Sequence, residues 1–273
     1  MIQESPVFSI VIPTYNRAHF IAKTLESVLR QSFTDFEVLV VDDGSKDNTE
    51  EVVKAFKDRR IHYFKKNNEE RGAARNYGVA EARGEFINFF DSDDLMYPNH
   101  LAVAYKFINE NDAVFFHLAY DHRREDNTTF DRVNQFDDSI AGKILFDNIL
   151  SPNVVFLKKE IAIQFPFEEN RVLASSEDWE LWIRLISRFK MLYSNEVTCA
   201  VVHHDQRSLR TIRAEEIVAR DLFLIENLRK DAVVMNKYKN LFGKFVAERY
   251  TFFMLSFVEQ KMKREVLKWG VKA

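Results

Sequence analysis

Cysteine is almost missing from this 273-residue chain. The one present, Cys199, excludes an intramolecular disulfide and fits a reducing, cytoplasmic compartment. A basic surplus is also lacking. The formal net charge of −3 argues against a dedicated nucleic-acid binder, so no nucleic-acid partner is expected. No uninterrupted apolar stretch approaches the roughly 18 residues that a spanning helix needs. The opening Met-Ile-Gln-Glu-Ser-Pro has neither the basic region nor the apolar run of a signal peptide. These absences lead to the expectation of a soluble or peripheral protein. There is no G-x-G-x-x-G either, and no internal repeat or low-complexity tract. What is present is ordinary globular composition, 46% hydrophobic and 30% charged, enough to bury a substantial core.

The first 118 residues alternate short apolar runs with helical patterns. Runs at 8–12, 36–41, 61–64, 85–90 and 113–116 read as strands. Between them, residues 18–31 and 49–56 carry apolar side chains at three- and four-residue spacings, as amphipathic helices do. Asp47 and Glu50 have the spacing of a capping box for the second helix. The βαβα order predicts an α/β fold with a doubly wound, mostly parallel sheet, whose ligands bind at the carboxyl ends of the strands. Residues 120–138 are polar and read as a surface excursion or loop. Later, 154–157 and 191–193 read as short strands, and 177–188, 215–230 and 236–268 as helices. The run Val197 to Val202 makes Cys199 a buried core residue.

Three acidic or polar motifs fall just past predicted strands. Asp91-Ser92-Asp93-Asp94 follows a wholly apolar strand, and three carboxylates in four residues repel one another unless something neutralises them. A divalent cation, Mn²⁺ or Mg²⁺, does so and keeps positions open for phosphate. A helix N-terminal cluster ahead of Pro98 is the alternative. Asp42-Asp43-Gly44-Ser45 follows the second strand, where a carboxylate can accept from a ribose or a base imide, or simply support a turn. The loop after the first strand is Pro13-Thr14-Tyr15-Asn16-Arg17, which removes the pyrophosphate cradle of a NAD enzyme. Arg71 and Arg75 sit four apart on one helix face and suit phosphate oxygens, or a solvated surface. Glu177-Asp178-Trp179 opens a later helix. One of its carboxylates can act as general base, and Trp179 and Trp182 can offer flat surfaces to sugar rings, unless all are structural. His203 or His204 can complete a metal site, and Arg207 can contact phosphate.

In this order, the five motifs around Pro13, Asp42, Gly72, Asp91 and Glu177 closely resemble those of family 2 glycosyltransferases of the GT-A fold, over residues 8 to 209. The resemblance implies that Pro13, Thr14, Tyr15, Arg17, Asp42 and Asp43 line the nucleoside pocket. It also implies that Arg75, Asp91 and Ser92 face the ribose-diphosphate part. Asp93, with His204, would hold the metal, and Asp178 would be the catalytic base. It implies inversion at the anomeric carbon, a nucleotide-sugar donor (most often UDP-linked) and a saccharide or lipid-linked saccharide acceptor. The Gln-x-x-Arg-Trp motif of processive members is absent, so one sugar per encounter is expected.

The domains expected are residues 1–210, with a nucleotide-sugar half at 1–118 and an acceptor half at 119–210, then a helical extension at 211–273. From residue 229 on, eleven Lys/Arg face four Asp/Glu, a surplus of seven that leaves about ten negative charges on the rest. Helical spacing brings Leu241, Phe245, Phe252, Leu255 and Val258 near one another. Residues 236–273 read as a cap on the core, a homodimer contact, or a peripheral contact with the inner face of an anionic membrane. A nucleotidyltransferase and a non-catalytic sugar-nucleotide-binding protein are the competing functions.

Overall fold

The computed structural model describes residues 5–205, 213–259 and Trp269. The chain divides into two compact units. One comprises residues 1–138, 150–169 and 190–204, the other 139–149, 170–189 and 205–273. Segments on both sides of residue 210 therefore fold together in the second unit.

The first unit is built on a mixed sheet of nine strands among the described residues. β1 (Phe8–Thr14), β2 (Phe36–Asp42), β3 (Ile61–Lys65) and β4 (Phe86–Phe89) run parallel in the order β3-β2-β1-β4. The sheet continues with β8 (Val155–Lys158), β6 (Phe115–Arg124), β9 (Leu192–His203) and β5 (Leu95–Met96). Beyond β4 the pairing is mixed: β8 is antiparallel to β4 and β6, and β6 is parallel to β9. β1 and β2 are buried at every position, as their near-continuous apolar runs demand of strands covered on both faces.

Helices α1 (Ile21–Leu29), α2 (Thr49–Ala55), α3 (Glu70–Glu81), α4 (His100–Asn111) and α6 (Lys159–Gln164) complete this unit. α1 buries Ile21, Thr24, Leu25 and Val28, the i, i+3, i+4, i+7 stripe that its sequence carries. α3 lies so close to β1 that a Cβ at Gly78 would collide with the Val11 side chain. At the amino ends of the strands, Glu37 is buried and accepts from Ser9 Oγ and from the Arg83 amide and guanidinium. Burial alone would raise its carboxyl, but those bonds and the Arg83 charge hold it below the usual range.

Two local expectations need correction. Residues 120–138 form a surface excursion, but not one without secondary structure. β6 runs on to Arg124 and pairs with β7 (Thr129–Val133) in a hairpin, and cross-strand pairs such as Tyr120–Val133 hide that pattern beneath charged outer residues. The Asp47–Glu50 capping box does not form. Asp47 accepts from Thr49 N as expected, but Glu50 turns to Lys54 and Lys65.

The second unit holds α5 (Ile140–Lys143), α7 (Glu177–Arg188), α8 (Ala214–Lys230), α9 (Ala232–Lys237) and α10 (Phe242–Glu259). Asp231 caps α9 through the Val233 and Val234 amides and takes Arg188 Nη2 at 2.8 and 2.7 Å. Trp179 is buried, donates to Ile144 O at 2.6 Å and meets Phe245 edge-on. The helical pattern over 236–268 is interrupted at 238–241, and Trp269 is the one described residue beyond Glu259. The expected apolar grouping also separates. Phe245 is buried against Phe146, Trp179 and Phe242, whereas Leu241, Phe252, Leu255 and Val258 are exposed. Among the described residues no helix is long and apolar enough to cross a membrane.

His117 on β6 is buried against Phe136, with neither ring nitrogen hydrogen-bonded, and His100 on α4 keeps one bond, to Thr198. Burial pushes both imidazoles down to about 3 from an ordinary 6.5. The unfolded chain thus takes up these protons first. Stability is full above about pH 6.5 and falls as pH drops from there toward 3, by at most about 1.4 kcal/mol per pH unit for each histidine. Urea unfolding of His117→Phe at pH 7 and pH 5 should show a smaller pH dependence than the parent. An unchanged difference would mean that His117 is not held neutral.

Candidate active site

The chain proceeds from β1 outward to β2 and β3, then returns to place β4 on the other side of β1. That reversal is a topological switch point, the place where open parallel sheets bind ligands, beyond the carboxyl ends of β1 and β4. Pro13–Arg17 leaves β1 there, and Asp91–Asp94 leaves β4. Pro13 sits past Val11, the last β1 residue with a partner on β4, so its missing N–H breaks no bond with that strand.

The three carboxylates of the acidic turn have separate partners. Asp91 Oδ1 pairs with Arg75 Nη2 at 2.9 Å, and Arg75 is buried on α3 with its guanidinium over the Phe167 ring. Asp94 is buried and accepts from Asn153 Nδ2 and the Val202 amide, both at 2.7 Å. Asp93 Oδ2 lies 3.1 Å from His204 Nε2 and 3.3 Å from Arg17 Nε. His204 is buried and stacks on Phe20, 4.2 Å between ring centres. Of the two histidines, His204 is the one beside Asp93. His203 Nε2 instead lies 2.9 Å from His122 Nδ1. Ser92 is buried within the turn, and Arg207 lies outside the described residues.

The carboxylates after β2 are held by protein donors. Asp42 accepts from the Ser45 amide at 2.7 Å and from Tyr63 Oη at 2.6 Å. Asp43 accepts from the Glu69 and Glu70 amides, Asn68 Nδ2 and Lys66 Nζ, at 2.9 to 3.1 Å. Glu70, at φ +76°, is a left-handed non-glycine that these bonds stabilise at the start of α3. The loops after β1 and β2 also grip one another. Asn16, at φ +51°, donates its amide to Ser45 Oγ and accepts from the Lys46 amide, while Asp43 N donates to Thr14 O. Tyr15 is left exposed in the loop after β1, and Thr14 is buried.

In the second unit, Asp178 stands in the first turn of α7, half-buried, and accepts from the Trp179 amide and from Asn148 Nδ2 at 3.2 Å. Its neighbour Glu177 is buried. Trp179 and Trp182 are buried too, so neither offers a face to a sugar. Residues absent from the sequence reading matter as much. Asn153, fully buried ahead of β8, accepts from the Asp91 amide and donates to Asp94. Asn68 and Lys66 gather on Asp43. These partners are 23 to 62 residues away in sequence, and no short motif announces them.

A parallel sheet with an acidic turn at its switch point, continued by a mixed sheet and helices, is the GT-A glycosyltransferase architecture. The structure of TarS 1-349 from S. aureus in complex with UDP-GlcNAc aligns over 96% of this chain and 88% of that one, with a TM-score of 0.67 and 18% identity. A mannosyltransferase from Pyrobaculum calidifontis, in complex with GDP-Man and Mn²⁺, aligns over 99% of this chain and 77% of that one, with a TM-score of 0.66 and 17% identity. The family model of glycosyl transferase family 2 matches residues 9–168, more than half of the chain, and the chain belongs to that family. An uncharacterized glycosyltransferase of Rickettsia bellii is 36% identical over 184 residues, which is 66% of this chain but 26% of that protein. The chain thus spans about a quarter of that relative's length.

Asn153 is the residue on which the acidic turn depends most. Asn153→Ala would leave one oxygen of Asp94 and the Asp91 amide without their partner, and stability should fall by about 1–3 kcal/mol. Urea unfolding checks this, and a loss below about 0.5 kcal/mol, the scale of an ordinary surface change, would show that the turn holds itself.

Proposed function

We propose that this protein transfers one sugar from a nucleoside-diphosphate sugar to a hydroxyl of a saccharide or lipid-linked saccharide acceptor, with inversion at the anomeric carbon. The observation that carries the reading is Asp93, the one carboxylate of the acidic turn set against His204 and Arg17 at the switch point. A UDP-linked donor is the first choice, following the motif pattern. TarS with UDP-GlcNAc and the mannosyltransferase with GDP-Man are consistent with a nucleotide-sugar of either base.

The donor set fits a divalent cation of the Mn²⁺ or Mg²⁺ kind. Asp93 offers a carboxylate oxygen and His204 an imidazole nitrogen 3.1 Å away, and no group of three such side chains occurs among the described residues. Two protein ligands suit an ion that shares its remaining positions with phosphate and water rather than one caged by protein. When bound, the cation would offset charge on the departing diphosphate. Arg17, released from Asp93, is then a second cation for that diphosphate. Pro13, Thr14 and the exposed Tyr15 ring would form the nucleoside pocket, with Asp42 and Asp43 shaping its loops. Arg75, Asp91 and Ser92 would border the ribose-diphosphate part.

Asp178 is the proposed general base. Its carboxylate takes the proton of the acceptor hydroxyl as that oxygen bonds to the anomeric carbon. The bond from that carbon to the diphosphate oxygen breaks on the opposite side, and the nucleoside diphosphate leaves with the electron pair. Asn148 and the Trp179 amide hold Asp178 from behind.

Two measurements test this. Calorimetry should show UDP binding that depends on Mn²⁺ in the parent and is lost in Asp93→Asn; equal binding by the variant would remove Asp93 from the metal site. Asp178→Asn should keep Mn²⁺-dependent UDP binding but lose about 10²-fold or more in turnover. If Asp178→Asn keeps full activity while Glu177→Gln loses it, the base is Glu177.

A further inference from the structure

The second unit contains a cleft that the donor site does not use. It has a volume of about 370 Å³, within the usual range for small-ligand sites. One wall is the 3-10 turn Arg171–Leu173 with Ala174 and Ser175, and the other is the Glu216–Arg220 stretch of α8. We propose that this cleft is an acceptor subsite that binds a phosphoester group of the acceptor through Arg220. The assignment rests on Asp178 being the base. Ser175 leads through Ser176 and Glu177 into Asp178 at the start of α7, so an acceptor seated in the cleft is carried on the same backbone as the proposed base.

The charge distribution calls for an anion. The Arg220 side chain is only 14% exposed, yet it meets one protein acceptor, Asp221 Oδ1 at 3.2 Å from its Nε. Its two terminal nitrogens find no acceptor among the described residues, although a guanidinium has five N–H donors to satisfy. Asp221 is fully buried and is shared with Arg249, whose Nη1 lies 3.7 Å from Oδ2. Two guanidiniums thus face a single carboxylate. The acidic residue of the lining, Glu216, is already matched by Arg213 at 2.7 and 3.0 Å. The guanidinium fork of Arg220 matches phosphate oxygens better than neutral sugar hydroxyls.

Ser175 has φ +71°, a left-handed conformation that persists in a non-glycine residue where the surroundings impose it. Its hydroxyl and the apolar Val172, Ala174 and Ala219 give the cleft a mixed lining, suited to a phosphoester with carbon on one side.

The test uses the full chain, labelled with ¹⁵N and titrated with glycerol 3-phosphate, octyl phosphate and glycerol. Both phosphates should shift the amides of residues 171–175 and 216–220, and glycerol should not. Tighter binding of octyl phosphate would indicate a lipid phosphate as the natural source. Equal or tighter binding of glycerol 3-phosphate would indicate a polyol or sugar phosphate. Ala219→Trp fills the cleft from an exposed position and should remove these shifts, and Arg220→Gln should weaken binding about tenfold or more, the loss of one charge-assisted bond. No shift at these amides, an equal response to glycerol, or shifts that survive Ala219→Trp would each overturn the subsite. Mn²⁺-dependent UDP binding, measured separately, distinguishes this failure from that of the glycosyl-transfer reading. UDP binding without cleft shifts removes the subsite alone. Cleft shifts without UDP binding leave an anion site on a protein that is not the proposed transferase.

Discussion

A buried side-chain amide, that of Asn153, carries much of the architecture around the switch point. Its oxygen accepts the Asp91 amide, its nitrogen donates to Asp94, and its backbone carbonyl accepts from Asn88 on β4. β4 and the acidic turn that follows are thereby tied to the start of β8. Three carboxylates within four residues would otherwise force the turn open. Asp91 and Asp94 are fixed by Arg75 and by Asn153 with the Val202 amide. Asp93 alone is directed toward Arg17 and His204.

The loops after β1 and β2 follow a similar rule, in which carboxylates near the switch point mostly hold backbone. Asp42 closes the Ser45 turn, Asp43 secures the strained entry to α3, and Asp47 ties the Ala18 amide to the start of α2. These bonds position left-handed Asn16 and so the exposed ring of Tyr15. Buried ionised groups are stable when each lone pair has a donor, and the dense network around Asp43 meets that condition. A strand end rich in aspartate can therefore have rigid loops.

In the second unit, buried aromatic rings and paired arginines join the helices. Phe245 meets Trp179 across α10 and α7, and Arg249 stands over the same indole while reaching Asp221 on α8. Burial raises the Asp221 carboxyl and the two guanidiniums oppose that rise, so the pairing links helix packing to the charge of the cleft above it. The helices that position Asp178 thus also shape the adjoining surface.

The strands β1 to β4, the helices between them and α7 were legible from apolar periodicity, because parallel strands and amphipathic helices bury faces that repeat locally. The motif order identified the family, and Asp93 and Asp178 followed from that likeness as expectations about roles. The β6–β7 hairpin was hidden because its pairing is set across the strands, while the polar residues along it resemble a loop. Charge balance in the acidic turn was legible only in part: three crowded carboxylates called for a cation, and local spacing did not show that Arg75 pairs with Asp91 or that Asn153 donates to Asp94. Arg75 and Asn153 are 16 and 62 residues from Asp91, distances over which residue spacing carries no information. Local sequence determined which segments are helix and strand and which residue types collect at the strand ends. Tertiary structure decided which of those side chains support backbone and which face the switch point, because a buried polar atom takes the nearest partner in space.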